Sequence, residues 1–427
     1  MKTSKGRIVF LLITIVLLTA VAYVLYTEPE LPAWFAGADE PVPPVSNDPI
    51  VDDPIVDDPI VDDPIPDNPT VDNPIVDDPI VNDPTTPDDP PVNEPQQPLE
   101  PIVTVSGDAY TYDVMSKQLR ALAARYPDLL RVSSYGTSAD GRELYVATLG
   151  APDAGRQIIV TAGMHAREYV NCYVVMRQLE YYLENYDTGT YDGKTYRELF
   201  SKVNIVLAPM TNPDGVTLAQ QGLGALASDE LREQVEDIVR SIHNGSVDAY
   251  LKNNWKSNAR GVDVNRNFDI LWEQYVMRSS NGEPNPRYLV PSFKEYKGSA
   301  PETEPEAAAL VALTKGLSNP VASVCVHSQG NLIYWRCDPD SALWAENRRL
   351  AELTHSITGY LIIDENQTDA QTEPSYSNWT VFALRIPTVT VENGTGGYPQ
   401  TYDMADGFFE CNRELWAAVA LEYAQDK

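Results

Sequence analysis

Ile158-Ile-Val-Thr161-Ala-Gly-Met-His165-Ala-Arg-Glu168 runs from an unbroken apolar segment into a polar turn, and its reading decides the fold. A short apolar run closed by glycine reads as a strand buried on both faces. From about Tyr169 the apolar residues recur at helical spacing, so strand, turn and helix follow one another. His165 and Glu168 lie three residues apart in that turn and can face one metal ion. A second apolar run, Val321-Ala-Ser-Val-Cys-Val326, ends directly in His327. Two imidazoles and one carboxylate, with a coordination position left open, form the donor set of a catalytic zinc site. Of the four histidines in the chain, His243 and His355 sit in helical surroundings and read as structural.

Further strands are expected at Leu144–Thr148, Gln157–Thr161, Val203–Leu207, Ala322–Val326, Tyr360–Ile363 and Thr388–Val391. Helical patterns fall at 112–126, 169–185, 228–242, 303–316, 342–357 and 409–425. Alternating strands and helices imply an α/β domain, with a mixed, largely parallel central sheet and helices on both faces. Such sheets place their sites beyond the carboxyl ends of the strands. His165, Asn212, His327 and Glu392 all follow strand-like runs at that position.

The remainder of the chain is organised differently. Residues 1–27 hold Lys2, Lys5 and Arg7 followed by an uncharged apolar run from Ile8 to Tyr26, long enough to span a bilayer. The flanking charges keep the N-terminus in the cytoplasm and place the rest outside. The segment reads as a signal-anchor, with a cleaved signal peptide as the alternative. Residues 28–106 are acidic and proline-rich, and from Asp48 they repeat Asp-Pro-Ile-Val-Asp, with proline at every fifth position from Pro49 to Pro84. That period matches neither helix nor strand, and proline removes backbone donors. Mutually repelling aspartates keep such a chain open, so the segment is expected to be a disordered acidic linker, of which Asp48 to Pro101 alone would reach roughly 170 Å at full polyproline extension.

Net charge is −31, with 20 Asp and Glu and no Lys or Arg in residues 27–106. Allowing for the +3 of the first seven residues, about −14 falls on residues 107–427, which argues against a nucleic-acid partner. The four cysteines are too few and scattered for a disulfide scaffold, and Cys172 and Cys325 lie on apolar segments as expected for buried thiols. The folded domain is expected over 107–427, as a monomer.

Peptide hydrolysis at such a zinc needs a base. Glu392 ends the strand Val389-Thr-Val-Glu392, beside the expected metal, where partial desolvation suits base work. Arg167 and Arg260 are cations available to an oxyanion. Arg266, in Val262-Asp-Val-Asn265-Arg266, can hold a substrate carboxylate in bidentate fashion. Singly, each has a plain rival: a solvated helical pair, a core histidine, a surface turn glutamate, an arginine paired with a structural aspartate. The combination carries the argument.

Together these residues resemble the zinc carboxypeptidases. The resemblance covers about residues 108–425 and rests on five blocks in family order: Gly163-Met-His-Ala-Arg-Glu168, Asn212-Pro-Asp-Gly215, Trp255-Lys with Gly261-Val-Asp-Val-Asn-Arg-Asn-Phe268, His327-Ser-Gln-Gly330, and Glu392. It implies one Zn2+ per catalytic domain on His165, Glu168 and His327, with Glu392 as catalytic glutamate. It also implies that Asn265 and Arg266 grip the substrate carboxylate, that Arg167 binds substrate, and that Asp263 orients His165. Two positions depart. Lys256 stands where the family has the arginine that polarises the scissile carbonyl, and Arg260 is its possible substitute. The capping tyrosine has no clear match, Tyr376 being the nearest.

His327-Ser-Gln-Gly-Asn-Leu-Ile-Tyr-Trp335 and Trp255-Lys-Ser-Asn-Ala-Arg-Gly261 are similar to the bacterial branch that splits γ-D-glutamyl-diamino acid bonds in peptidoglycan stem peptides. The acidic loop holding Asp369 and Glu373 reads either as a solvated surface or as a receiver for a diamino acid ammonium. The expectation is an extracellular or wall-located zinc metallopeptidase, made active rather than as a zymogen. The alternatives are a general carboxypeptidase trimming extracellular peptides, and an inert wall-binding protein, which the presence of all three ligands and Glu392 disfavours.

Overall fold

Among the described residues ten strands follow in chain order: β1 Leu130–Thr137, β2 Glu143–Leu149, β3 Arg156–Thr161, β4 Thr190–Tyr191, β5 Lys194–Thr195, β6 Val203–Ala208, β7 Pro320–His327, β8 Leu332–Trp335, β9 Leu361–Ile362 and β10 Thr388–Glu392. The computed structural model describes residues 100–427 except 106, 108, 336–341, 364–372 and 425–427. The anchor expected at 1–27, nearly all of the linker at 28–106, Cys337 and Asp369 lie outside the described residues. Among the described residues no helix is long and apolar enough to cross a membrane.

Eight strands form one sheet in the order β1-β2-β6-β3-β7-β10-β8-β9, while β4 and β5 pair as a separate hairpin. The centre, β6-β3-β7-β10, is parallel. β2 runs antiparallel to β6 on one side with β1 antiparallel to β2 outside it, and β8 runs antiparallel to β10 on the other. The sheet is therefore mixed, with a parallel heart. Side-chain alternation shows why both faces are covered. Ile158, Val160 and Val324 point into the larger core, with Leu119, Leu179 and Trp416 from the helices Tyr112–Arg125, Val170–Glu184 and Leu415–Ala424. Ile159 and Cys325 point the other way, onto Leu310 and Val311 of the helix Pro305–Lys315 and Trp379 of the helix Tyr376–Phe382. Cys172 and Cys325 are buried thiols as expected, burial pushing both up, Cys325 to about 11.

The sequence-based elements differ from the structure in several places. Residues 100–105 belong to the folded body, ahead of the boundary at 107. Val103 is buried, and its N–H donates to Glu180 Oε2 at 2.9 Å. The helix expected at 409–425 is two helices, Ala405–Asn412 and Leu415–Ala424. Near the second helix's start the Tyr182 hydroxyl donates to Arg413 O (2.6 Å) and accepts from Ala417 N (3.1 Å), replacing a backbone bond between residues four apart. The edge strand β1, the strand β8 between β10 and β9, the hairpin β4-β5 and the helices Pro213–Gln221, Val247–Asn254 and Tyr376–Phe382 were not expected.

Candidate active site

The C-terminal edge of the parallel strands carries the chemistry. After β3 the chain passes Gly163, at φ +64°, where a Cβ would meet Cys172 Sγ at 2.4 Å. Only glycine fits that turn. A single 3-10 turn, Ala166–Glu168, then follows His165 and sets His165 and Glu168 side by side. His327 closes β7, and Glu392 is its register partner at the end of β10. After β6, Asn212 ties the surrounding loops together. Its Nδ2 donates to Met164 O (3.1 Å) and Ser257 O (3.2 Å), and its Oδ1 accepts from Gly215 N (3.0 Å). A Cβ on Gly215 would lie 2.5 Å from both Asn212 Nδ2 and Ser257 O, so this loop junction also requires glycine.

His165, Glu168 and His327 converge as the sequence predicted. Each offers one ligand atom, and these atoms lie within 4.8 Å of one another. His165 Nδ1 is 2.8 Å from Glu168 Oε1, His327 Nδ1 is 2.9 Å from Glu168 Oε2, and the two Nδ1 atoms are 3.1 Å apart. All three side chains are buried. Converging lone pairs away from solvent are what a cation resolves, and the donor set fits zinc with a position left for substrate. Ser328 N adds a 3.2 Å hydrogen bond to Glu168 Oε2. Burial opposes the charge on Glu168, but His165 and His327 outweigh it and hold the carboxylate well below its usual range.

Asp263 stands behind His165, with Oδ1 3.4 Å from Nε2. It is fully buried and accepts from Asn265 N and Glu295 N, each at 3.1 Å. Burial alone would raise it, but Lys256, His165 and Arg266 together push it well down. An outer carboxylate of this kind fixes the ring's tautomer and orientation. Asp263→Ala is therefore expected to weaken zinc binding about 10- to 100-fold, read by competition with a chromophoric chelator.

Glu392 keeps part of its surface open to the site, while its Oε2 is shut off from solvent and has no hydrogen-bond partner. Burial and the charge of Glu168 push it up to about 8, against the pull of His327 and Lys256. A bound dication opposes that push. Such a carboxyl is tuned near neutrality, as proton transfer requires.

The cations divide. Lys256 is half-buried, with Nζ 3.6 Å from Glu295 Oε1 and 3.9 Å from Asp263 Oδ2. Burial would lower it, but Glu295 and Asp263 outweigh that and keep the ammonium charged, within electrostatic range of His165, Glu168 and Glu392. Arg260 is not brought to the site. Its side chain is 45% exposed, and its nearest carboxylate, Glu304, lies 3.9 Å away. The cause is local. Asn258 Oδ1 accepts from the N–H groups of Arg260 and Val262, and the turn closed at Gly261 throws Arg260 outward.

Arg167 stacks over Tyr398, with 3.7 Å from its guanidinium carbon to the ring centre, and its buried Nε has no partner. Asn265 Oδ1 accepts from Tyr376 N at 3.0 Å. Arg266 is buried among carboxylates, 3.0 Å from Glu295 and 2.7 Å from Glu373. Tyr376 does not cap the site. It is fully buried against Phe268 and Trp379, and its hydroxyl pairs with Thr314 Oγ1 at 2.9 Å. Its place in the apolar layer beneath the sheet leaves no surface for substrate.

Sequence reading did not find Glu295, Tyr398 or a buried amide network behind the ligands. Asn171 Nδ2 donates to Ser328 Oγ (2.8 Å), and Asn393 Nδ2 to Asn171 Oδ1 (2.9 Å). Asn412 Nδ2 and Tyr360 Oη both donate to Asn393 Oδ1, at 2.8 and 3.0 Å. This chain locks the ends of β7 and β10, which carry His327 and Glu392. The signal available was the pair of asparagine and serine residues directly after Glu392 and His327.

Fold and donor set thus define a metallohydrolase. The family model described as zinc carboxypeptidase matches residues 115–410, and the chain belongs to that family. It is 28% identical over 305 residues to gamma-D-glutamyl-L-diamino acid endopeptidase 1 of Lysinibacillus sphaericus, covering 70% of this chain and 69% of that protein. It is 25% identical over 317 residues to YqgT of Bacillus subtilis, covering 73% and 77%. Carboxypeptidase A from Helicoverpa armigera shares the fold, with a TM-score of 0.54 at 16% identity over 74% of this chain and 75% of that one. The chain is a zinc carboxypeptidase-type hydrolase, and its metal is zinc.

Proposed function

We propose that this hydrolase cleaves the bond between γ-D-glutamate and a diamino acid in peptidoglycan stem peptides, on the outer side of the cell membrane. The observation that carries the substrate is the likeness, over 70% of the chain, to an endopeptidase named for that bond. The location rests on the basic-then-apolar N-terminus and the acidic repeat that follows it. A long spacer between an anchor and a hydrolase suits a substrate held in a wall.

The side chains divide the reaction. Zinc held by His165, Glu168 and His327 supplies a Lewis acid and lowers the pKa of water at the site. Glu392 takes the proton of the attacking water and passes it to the leaving amine. Lys256, half-buried and charged, faces the charge that develops on the scissile carbonyl oxygen. Arg266, beside Asn265, orients the free carboxylate of the released residue. Arg167, short of one partner, takes a substrate oxygen.

Lys256→Ala is expected to lower kcat about 10²- to 10³-fold, whereas Arg260→Ala should stay within about twofold, as exposed sites usually do. Steady-state rates on one peptide separate the two, and equal losses would reinstate Arg260. The substrate reading is tested by digesting muropeptides and a protein with a free C-terminus side by side, with mass readout. Release of the diamino acid portion from the muropeptides supports it. Trimming of the protein C-terminus alone would replace it with general carboxypeptidase action.

A further inference from the structure

Arg266 meets a substrate carboxylate side-on through its Nε–Nη2 edge by giving up a partner it already has. Its Nε donates to Tyr275 Oη and Glu295 Oε2, both at 3.1 Å, and its Nη1 to Asn265 O at 3.1 Å. Its Nη2 lies 3.0 Å from Glu295 Oε2 and 2.7 Å from Glu373 Oε1. A guanidinium has five donors, and the Nε–Nη2 edge that would receive a carboxylate side-on is already occupied from within the protein.

The two glutamates are not equivalent. Glu295 is fixed. Its carboxylate also takes the Tyr275 hydroxyl (2.9 Å) and faces Lys256 at 3.6 Å, its backbone N–H is held by Asp263, and its side chain is 10% exposed. Glu373 is 24% exposed, and Arg266 is its one ion-pair partner among the described residues. Its backbone is pinned, since Glu373 O accepts from Asn378 Nδ2 (2.8 Å) and Pro374 O from Phe268 N (3.2 Å). The Glu373 side chain is therefore the part free to move. It stays close to the reacting centre, near enough for its charge to act on Glu392.

The charges decide what displaces it. Lys256 and Arg266 face Asp263, Glu295 and Glu373, two cations against three anions. A substrate end bearing only a carboxylate would take Arg266 and leave Glu373 unpaired beside it, adding an anion to an anionic cluster. An end bearing a carboxylate and an ammonium replaces both partners at once. Arg266 exchanges one carboxylate for another, and Glu373 exchanges a guanidinium for an ammonium.

We propose that Glu373 determines specificity: it occupies Arg266 in the free protein and yields that place to a released residue that carries an ammonium as well as a carboxylate. This rests on the hydrolase reading above and assigns the diamino acid preference to one side chain.

The test compares γ-D-glutamyl-L-lysine and γ-D-glutamyl-L-norleucine peptides, identical but for the ammonium, on the zinc-loaded full chain. Wild type should prefer lysine in kcat/KM by about 10- to 100-fold. In Glu373→Gln the preference should collapse to within about threefold. The norleucine KM should fall because the internal competitor is weakened, the lysine KM should rise, and kcat should change little for either. An unchanged preference in Glu373→Gln, or an equal loss of kcat on both peptides, would overturn the proposal. If neither γ-linked peptide is cut but α-linked peptides ending in lysine and norleucine are, the bond assignment fails and the same ratio still judges Glu373. Calorimetry with free L-lysine and L-norleucine reads the ratio without turnover: a wild-type preference lost in Glu373→Gln supports the proposal, and equal binding in wild type refutes it.

Discussion

Glu392→Gln is expected to lower kcat about 10²- to 10⁴-fold while zinc content stays at one per chain. The amide preserves the size of the side chain and removes only its capacity to carry a proton. His165, Glu168 and His327 keep their arrangement, because it is set by β3, β7 and the amide network rather than by Glu392. The buried Oε2 that lacks a partner marks Glu392 as a group held for reaction. Its carboxyl, up to about 8 from burial and the neighbouring Glu168, sits far above an ordinary glutamate. Zinc analysis and rates on the same sample check the expectation, and a variant with near-full kcat would remove Glu392 as the base.

Stripping the zinc with a chelator is expected to take hydrolysis to background and to restore it when zinc is returned. The same treatment should lower stability by about 4 kcal/mol relative to protein in free zinc at 1,000 times its dissociation constant. The loss is large because the donors face inward. Two imidazole nitrogens and both oxygens of Glu168 are held within hydrogen-bonding distance of one another in a buried site. Differential scanning calorimetry with and without zinc measures it. A melting temperature indifferent to the metal would mean that these residues do not hold the ion.

His165 and His327 were legible because each follows an apolar run, and Glu168 because it shares the turn with His165. β3, β6, β7 and β10 are buried on both faces, so their sequences are nearly continuous in apolar residues and their polar successors stand out. β1 was not legible, because an edge strand with an irregular exposure pattern carries no clear alternation. β8, four residues long behind a glycine-containing turn, was too short to signal. Arg260 failed as a candidate because proximity in sequence does not give direction, and one turn at Gly261 points it outward. Tyr376 failed because choosing the nearest tyrosine in the loop cannot register that its ring packs on Phe268, more than a hundred residues earlier. Glu295 and Glu373 reach Arg266 from 29 and 107 residues away. Contacts between loops at such separations leave no periodic trace.

The central claim is that one zinc, on His165, Glu168 and His327, makes this chain a hydrolase. Titrating zinc into the metal-free full chain while recording turnover tests it most directly. The predicted result is activity rising linearly to one equivalent of zinc, with neither tight binding nor turnover in His165→Ala or His327→Ala. Turnover by the metal-free chain, or one equivalent of tightly bound zinc in both variants, would contradict it.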